Sequence, residues 1–303
     1  MYSSAPPCSI EHSAKSRERR KADCTMKAMA QLRMCPHCRA FVPSNERVCP
    51  YCETEMGPRA VDRREPAGFV AERLPHARFT TTIILLVNFG LYAALTLATM
   101  RAGNADPWNI DGRTLFEFGA KYRTAIVLGQ WWRLVTAGFL HGGLFHILMN
   151  SWVLFDLGGL VEQTYGASRM IVIYFLATVG GFFLSTYWSA ALSVGASAGI
   201  FGLIGAMIAL GLRYRTPLGS AIRSFYMRWA IYGLALGLLP GLRVDNAAHI
   251  GGLLVGLGAG YLAGLPEGNA RRETLWRLAA AGAVLVTALC FLQMYLWLTR
   301  GAR

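Results

Sequence analysis

The sequence predicts an all-α polytopic membrane protein with seven membrane helices, preceded by a small N-terminal module that carries four cysteines. Apolar segments separated by polar loops recur from about residue 79 onward. Of the 303 residues, 54% are hydrophobic and only 16% are charged. Two Cys-x-x-Cys pairs precede the first apolar segment. Because about 20 apolar residues cross a bilayer as a helix, this pattern favours membrane-spanning helices.

The first 34 residues are basic and polar and show no hydrophobic periodicity. A segment of this composition buries too little apolar surface to fold, so we expect residues 1–34 to be a disordered tail. Residues 57–78 are also polar, and we interpret them as a linker that leads to the first apolar segment.

The module between tail and linker, residues 35–56, carries the pairs "CPHC" and "CPYC". Its four cysteines are Cys35, Cys38, Cys49 and Cys52. Two such pairs at this separation can place four thiolates around a tetrahedral Zn²⁺, and the metal would stabilise a module with almost no core. Disulfides are disfavoured in a reducing cytoplasm, and the module is too small for a thioredoxin-like redox unit. We expect a structural zinc site, similar to the zinc ribbons at the termini of many bacterial proteins, with His37 as a spacer.

Seven apolar segments follow. They lie near Phe79–Met100, Leu144–Leu160, Met170–Trp188, Gly195–Leu212, Phe225–Leu239, Asn246–Leu265 and Leu275–Leu298. The fifth of these segments is short. Residues 266–303 contain the seventh helix and a tail.

The net charge is +13. Its positive residues are concentrated in particular loops between apolar segments, a distribution that sets the orientation of a membrane protein and argues against nucleic-acid binding. Arginines cluster between segments four and five and between segments six and seven: Arg213, Arg215, Arg223, Arg228, Arg271, Arg272 and Arg277. The positive-inside rule therefore predicts a cytoplasmic N-terminus and an external C-terminus, in what we expect to be a bacterial inner membrane. Membrane lipid is then an obligatory partner.

Segments two, four and six would all begin at the external face, and each carries polar groups close to its start. We place His146, Ser197 and His249 about five residues into their helices, roughly 8 Å deep at 1.5 Å per residue. Asn150 lies one turn beyond His146 on the same face. His141 is expected at the interface. Polar and ionisable groups inside a membrane are costly and often mark function.

These groups suffice for acyl transfer. A neutral imidazole at His249 can take the proton of the Ser197 hydroxyl, and the Asn150 amide, the His146 ring and the Ser197 backbone N–H can stabilise an oxyanion. Asp245 is expected to cap the sixth helix together with its neighbour Asn246, so the pattern favours a Ser–His dyad. Small residues should let helices four and six pack closely: Gly199, Gly202, Gly252, Gly256 and Gly260.

The segments "QWWRLVTAGFLHGGLFHILMN", "GASAGIFGLIGA" and "AHIGGLLVG", taken together and in this order, resemble the rhomboid intramembrane serine proteases. The resemblance implies that residues 79–265 form a six-helix bundle as the protease core, followed by one additional C-terminal membrane helix. The resemblance implies that Ser197 is the nucleophile and His249 the general base, with His146 and Asn150 in the oxyanion hole. It also implies that the aromatic ring of Phe201 stacks on the catalytic histidine. Two further motifs, Trp132–Arg133 and "GGLVEQTYG" with Glu162, are implied to be structural. Ala198 departs from the glycine expected after the serine.

The resemblance further implies substrates that are single-span membrane proteins, cleaved near the external face without a catalytic cofactor. We considered three alternatives: a rhomboid-like adaptor or chaperone that binds membrane helices, a transporter, and a zinc-dependent membrane protease. The first would lack the serine or the histidine, the second would carry deeper polar groups, and the third needs a ligand set such as His-Glu-x-x-His. The partner of the zinc ribbon cannot be read from the sequence.

Overall fold

The computed structural model describes residues 32–43, 46–56, 78–103, 106, 108–239, 244–266 and 268–301. The predicted tail and linker lie almost wholly outside the described residues. The chain divides into two compact units, Met1–Glu72 and Arg73–Arg303.

The first unit is a small module with two similar turns. Strands β1 (Leu32–Met34) and β2 (Phe41–Pro43) pair antiparallel and flank the first Cys-x-x-Cys turn. The amide of Arg39 donates to the carbonyl of Cys35 at 3.0 Å, and the amide of Glu53 donates to that of Cys49 at 2.9 Å. Arg39 and Glu53 also share a left-handed backbone, with φ of 60° and 56°. Each Cys-x-x-Cys pair is thus closed by the same backbone turn.

The second unit is helical. Its α-helices in chain order are α1 (Phe79–Arg101), α2 (Gly112–Glu117), α3 (Arg123–Val127), α4 (Arg133–Thr136), α5 (Leu144–Val153), α6 (Gly159–Tyr165), α7 (Ala167–Trp188), α8 (Ser197–Arg213), α9 (Pro217–Leu236), α10 (Asn246–Ala263) and α11 (Ala270–Gly301). A π-helical turn at Leu154–Gly158 joins α5 to α6, so the two form one continuous rod.

The long helices coincide with the seven predicted segments, and the predicted fold class is confirmed. Within the described residues, four helices are long and apolar enough to cross a membrane: α1, the α5–α6 rod, α7 and α11. Helix α8 is also apolar but has only 17 residues. The protein is a multi-pass membrane protein.

Helix α8 is the central element. It packs against α7, α9 and α10, and every residue from Ala198 to Gly211 is buried. A methyl group on Gly256 of α10 would collide with the Gly202 carbonyl of α8. The predicted close approach of these two helices is therefore confirmed for this glycine pair. Gly199 was predicted to contribute to the packing of α8 against α10, but it faces the Tyr174 ring of α7 instead.

The prediction of a short fifth helix is wrong. Helix α9 has 20 residues and begins at Pro217, a favoured first helical position, with the Thr216 hydroxyl accepting from the Gly219 amide at 3.1 Å. The apolar pattern starts late because the first turns carry polar residues such as Arg223.

Glu162 of α6 binds the N-terminal end of the first helix, α1. Its carboxylate accepts hydrogen bonds from the amides of Thr80 (2.8 Å) and Thr81 (3.1 Å) at the first turn of α1, and from the Thr81 hydroxyl (3.0 Å). An anion at a helix N-terminus satisfies free N–H groups and interacts favourably with the helix dipole. The "GGLVEQTYG" motif therefore attaches α6 to α1.

Helix α11 is attached near both of its ends. At its start, Glu273 forms a two-pronged ion pair with the buried Arg169 of α7, at 2.7 and 2.8 Å. Near its other end, Trp297 meets the Phe116 ring edge-on at 5.6 Å and lies 5.1 Å from the Arg133 guanidinium.

Candidate active site

Ser197 is the first residue of α8, and its side chain is half-buried. His146 is the third residue of α5, and His249 is the fourth of α10. The prediction placed each of the three residues about five positions after its helix start, which is too deep. The reason is that apolar loop residues, including glycines, extend each apolar run beyond the helix itself. At 1.5 Å per residue the three side chains lie within about 5 Å of their helix starts. The hydroxyl remains partly accessible.

His249 is brought to α8 by an aromatic stack. The Phe201 ring lies 4.1 Å from the imidazole, with the planes only 13° apart. Because Phe201 follows Ser197 by four residues, both lie on one face of α8, and the imidazole contacts that face one turn from the hydroxyl. His249 is only 7% exposed.

Asp245 caps α10 as predicted, whereas the side-chain amide of Asn246 donates to the Leu234 carbonyl of α9 at 3.1 Å and does not share the capping role. The Asp245 carboxylate accepts from the Ala248 amide at 3.0 Å and from the Ser185 hydroxyl. The Nδ1 atom of His249 has no hydrogen-bond partner in the described part of the chain. Among the residues that the structure describes, the site thus holds a serine and a histidine whose imidazole has no carboxylate partner.

His146 and Asn150 both reach the segment just before Ser197. A methyl group on Gly195 would lie 2.7 Å from the His146 Nε2 atom and 3.4 Å from the Asn150 Nδ2 atom. Gly195 also has a φ of +133°, a conformation that other residues rarely adopt. Both side chains therefore approach the backbone two residues before the serine. The Asn150 amide nitrogen is buried without a partner among the described residues, so a donor is available there.

His141, which is predicted to lie at the membrane interface, is fully buried among protein residues. Its ring meets that of His146 edge-on at 5.1 Å. The sequence does not indicate this burial, because His141 precedes α5 in an irregular segment without helical periodicity. His141 packs behind the ring that faces Gly195.

Ala198, which departs from the expected glycine, is accommodated by a glycine on the neighbouring helix. Its methyl group would lie 2.9 Å from a Cβ built on Gly181 of α7. A larger residue than glycine at position 181 would meet the alanine. The extra methyl group is therefore directed toward α7.

The Trp132–Arg133 pair is a structural element, as predicted. Arg133 is fully buried and donates to the Phe116 carbonyl at 2.6 Å, to the Ala120 carbonyl at 3.1 Å and to the Gln130 side chain at 2.6 Å. Its guanidinium also lies 4.6 Å from the Trp132 ring. These contacts hold together the connection between α1 and α5.

The four cysteines of the N-terminal module converge on one point. All four sulfur atoms lie within 4.8 Å of one another, with Cys35–Cys52 at 3.6 Å and Cys38–Cys49 at 3.7 Å. These separations far exceed a disulfide bond of about 2.05 Å. A tetrahedral site with metal–sulfur distances of about 2.3 Å requires sulfurs roughly 3.8 Å apart, so the cluster could hold a metal ion. His37 is exposed and outside this group.

Comparison with known proteins places this helical unit in a family. The family model of the rhomboid domain matches residues 128–265. The chain is 30% identical over 248 residues to Rhomboid-like protease 1 of Toxoplasma gondii, covering 78% of this chain and 82% of that protein. The chain belongs to the rhomboid family.

Two further rhomboid relatives are similar over shorter lengths. Rhomboid protease GluP of Bacillus subtilis is 36% identical over 202 residues, which cover 67% of this chain and 39% of GluP. The mitochondrial RHOMBOID-like protein 6 of Arabidopsis thaliana is 41% identical over 155 residues, 49% of each chain. The chain thus spans less than half of these two relatives.

Proposed function

We propose that this protein is a serine-type intramembrane endopeptidase with a Ser197–His249 dyad. The observation that carries the proposal is the meeting of three helix starts: His249 stacks on the Ser197 face of α8, and His146 approaches the backbone before Ser197. These contacts support a site in which a nucleophile, a base and amide or imidazole donors act together, as acyl transfer requires. The family membership and the two relatives with protease names support the same reaction class.

In the proposed reaction, the His249 imidazole accepts the Ser197 proton as the hydroxyl oxygen attacks the scissile carbonyl. The Asn150 amide and the His146 ring donate to the oxyanion of the tetrahedral intermediate, and one such donor typically contributes about 10²–10³ in rate. The protonated imidazole then gives its proton to the leaving amine. A water molecule, deprotonated by the same imidazole, hydrolyses the acyl-enzyme and restores the serine.

The proposed substrates are single-span membrane proteins whose helix unwinds near the external face. Peptide bonds inside an intact helix are shielded by the turns around them, and Ser197 at the very start of α8 favours cleavage close to the surface. We also propose a bacterial inner-membrane location, a cytoplasmic N-terminus and an external C-terminus. The basic loops that follow α8 and α10 support this orientation.

We further propose that the four-cysteine module, residues 35–56, holds a structural Zn²⁺. Its sulfur separations match a closed tetrahedral site, which leaves no open position for catalysis. The remaining proposed boundaries are a tail over residues 1–34, a linker over 57–78, the protease core over 79–265 and the final helix and tail over 266–303.

Cleavage of a model single-span protein in liposomes tests the activity. Wild type should cleave it, whereas Ser197→Ala should lose activity by at least about 10³-fold. Ser220→Ala, an exposed serine at the start of α9, serves as the matched control and should keep wild-type activity. Wild type that neither cleaves a panel of substrates nor reacts with a fluorophosphonate at Ser197 would instead favour an adaptor or chaperone that binds membrane helices.

A further inference from the structure

A buried lysine outside the dyad is tied to the loop that leads to Ser197. Lys121, between α2 and α3, is fully buried. Its ammonium group donates to the carbonyls of Ser189 at 2.7 Å and Ala191 at 3.0 Å. Within the described residues, no carboxylate forms an ion pair with it. Both acceptors lie on the connection between α7 and α8, which ends at the candidate nucleophile.

The same connection is held at every second residue. After Ser189 and Ala191, the backbone of Ser193 pairs antiparallel with that of Lys121, at 2.9 and 3.0 Å. The Gly195 amide then donates to the Ala137 carbonyl at 2.9 Å. The attachments therefore recur at alternate residues from Ser189 to Gly195, across a bend at Ala191. Ser197 follows two residues after the last attachment.

Lys121 is itself held firmly. Arg133 donates to the carbonyl of Ala120, the residue just before it, and the Thr136 hydroxyl donates to the Gly119 carbonyl at 2.8 Å. Burial lowers the pKa of the Lys121 ammonium from its ordinary value, and carbonyl acceptors offset part of that cost, since hydrogen bonds from a charged donor are strong. The lysine therefore links this hydrogen-bonded segment to the connection between α7 and α8.

We propose that Lys121 is a positioning residue for the reaction, because its ammonium group fixes the connection that presents Ser197 to the site. This inference rests on the proposed function. Gly195 lies on the same connection, so the Lys121 contacts also set the distance from that backbone to His146. Lys121 acts through the loop and does not touch the reacting atoms.

The first test compares Lys121→Met with Arg123→Met, an exposed cation two residues away. The full-length proteins in liposomes are treated with a fluorophosphonate, and both the rate constant and the labelled fraction at saturation are measured. Lys121→Met should lower the rate constant roughly 10–100-fold, the size expected for a small misplacement of a reacting group. Its labelled fraction should stay at the wild-type level, kcat for substrate cleavage should fall in parallel, and KM should change less than about two-fold. Arg123→Met should match wild type.

A second test restores the attachment covalently. In an antiparallel hydrogen-bonded pair the Cα atoms lie about 5.5 Å apart, within the range of a disulfide bond. The double variant Lys121→Cys/Ser193→Cys, made together with Cys290→Ser, should react slowly when reduced. On oxidation it should recover at least about ten-fold in rate.

Three results would overturn the proposal. In the first, Lys121→Met reacts at the wild-type rate. In the second, its labelled fraction falls while the rate constant does not, which indicates a purely structural role. In the third, oxidation of the double variant leaves the rate unchanged. A wild-type protein that does not react at Ser197 at all would refute the proposed function itself, and this inference with it.

Discussion

The imidazole of His249 lies face to face with the phenyl ring of Phe201, with the ring centroids 4.1 Å apart and the planes 13° from parallel. A catalytic histidine is commonly oriented by a carboxylate on its second nitrogen, but Asp245 is engaged with the Ala248 amide and the Ser185 hydroxyl. The stack therefore fixes the orientation of the imidazole. Phe201 lies one turn after Ser197 on the same face of α8, so one face of this helix positions both members of the proposed dyad.

Replacing Phe201 by leucine should weaken catalysis without abolishing it. An aromatic pair contributes about 0.5–1.5 kcal/mol beyond its buried area, so we expect kcat to fall roughly 2–12-fold through loss of imidazole orientation. The fluorophosphonate rate constant should fall by the same factor. Phe225→Leu, an aromatic residue on the exposed side of α9, provides the control. An unchanged rate in Phe201→Leu would contradict an orienting role for the stack.

Gly233 of α9 should affect the site through Phe201. A methyl group at this glycine would lie 2.6 Å from the Phe201 Cζ atom, closer than real contacts allow. Gly233→Ala should therefore displace the ring and lower kcat by about ten-fold or more, although residue 233 does not touch the dyad. Gly258→Ala in α10, where no atom lies within 4 Å, is the matched control and should leave kcat unchanged. Equal rates for the two variants would show that α9 tolerates the methyl group by moving away.

The sequence predicts which residues form this proposed site better than it predicts how deep they lie. Ser197, His146 and His249 were predictable because each is a polar residue near the start of an apolar segment, and topology alone places those starts at one face. The depth of these residues was not predictable, because the apolar pattern continues past the helix end into buried loop residues such as Gly195 and Ala196. An irregular segment leaves no periodic pattern.

Lys121 and His141 illustrate the same limit. Both are buried polar residues in irregular segments, and only the three-dimensional path of the chain between α1 and α5 buries them. In the sequence, Lys121 is one charge among several in a connection of mixed sign. By contrast, the four cysteines are readable from spacing alone, since a Cys-x-x-Cys turn is a local structure.

Gly195 should tolerate no side chain. Alanine there meets the His146 ring at 2.7 Å and must adopt a φ of +133°. We expect Gly195→Ala to lower the fluorophosphonate rate constant about 100-fold or more, because the oxyanion donors are displaced. Gly129→Ala separates strain from collision, since Gly129 also has a positive φ, +99°, but no atom lies within 4 Å. The control should lose some thermal stability and keep its rate; a similar rate loss in both would attribute the effect to backbone strain.

The N-terminal module should bind one zinc ion per chain. Cys35→Ser removes one of four ligands, so purified protein should contain much less zinc than wild type, because structural sites depend on the full ligand set. Cys290→Ser, which changes a cysteine of α11, should keep one zinc per chain. Metal analysis of the purified proteins measures this directly. Zinc retained by Cys35→Ser at the wild-type level would exclude the four-cysteine site, and cleavage activity retained by the same variant would assign the module an accessory role.

The ion pair between Arg169 and Glu273 should dominate the attachment of α11. The Arg169 side chain is 1% exposed and that of Glu273 25%, so removing one partner leaves a charge with little access to water. Breaking a buried pair typically costs about 3–5 kcal/mol. For a unit of this size, about 3 kcal/mol corresponds to a decrease in melting temperature of about 6–12 °C. Glu273→Gln should show this decrease by thermal unfolding in detergent. Glu117→Gln breaks the exposed pair with Arg113 and should change the melting temperature by less than about 2 °C, because such pairs contribute little. A shift in Glu273→Gln no larger than in this control would mean that the aromatic contacts of Trp297 suffice to hold the helix.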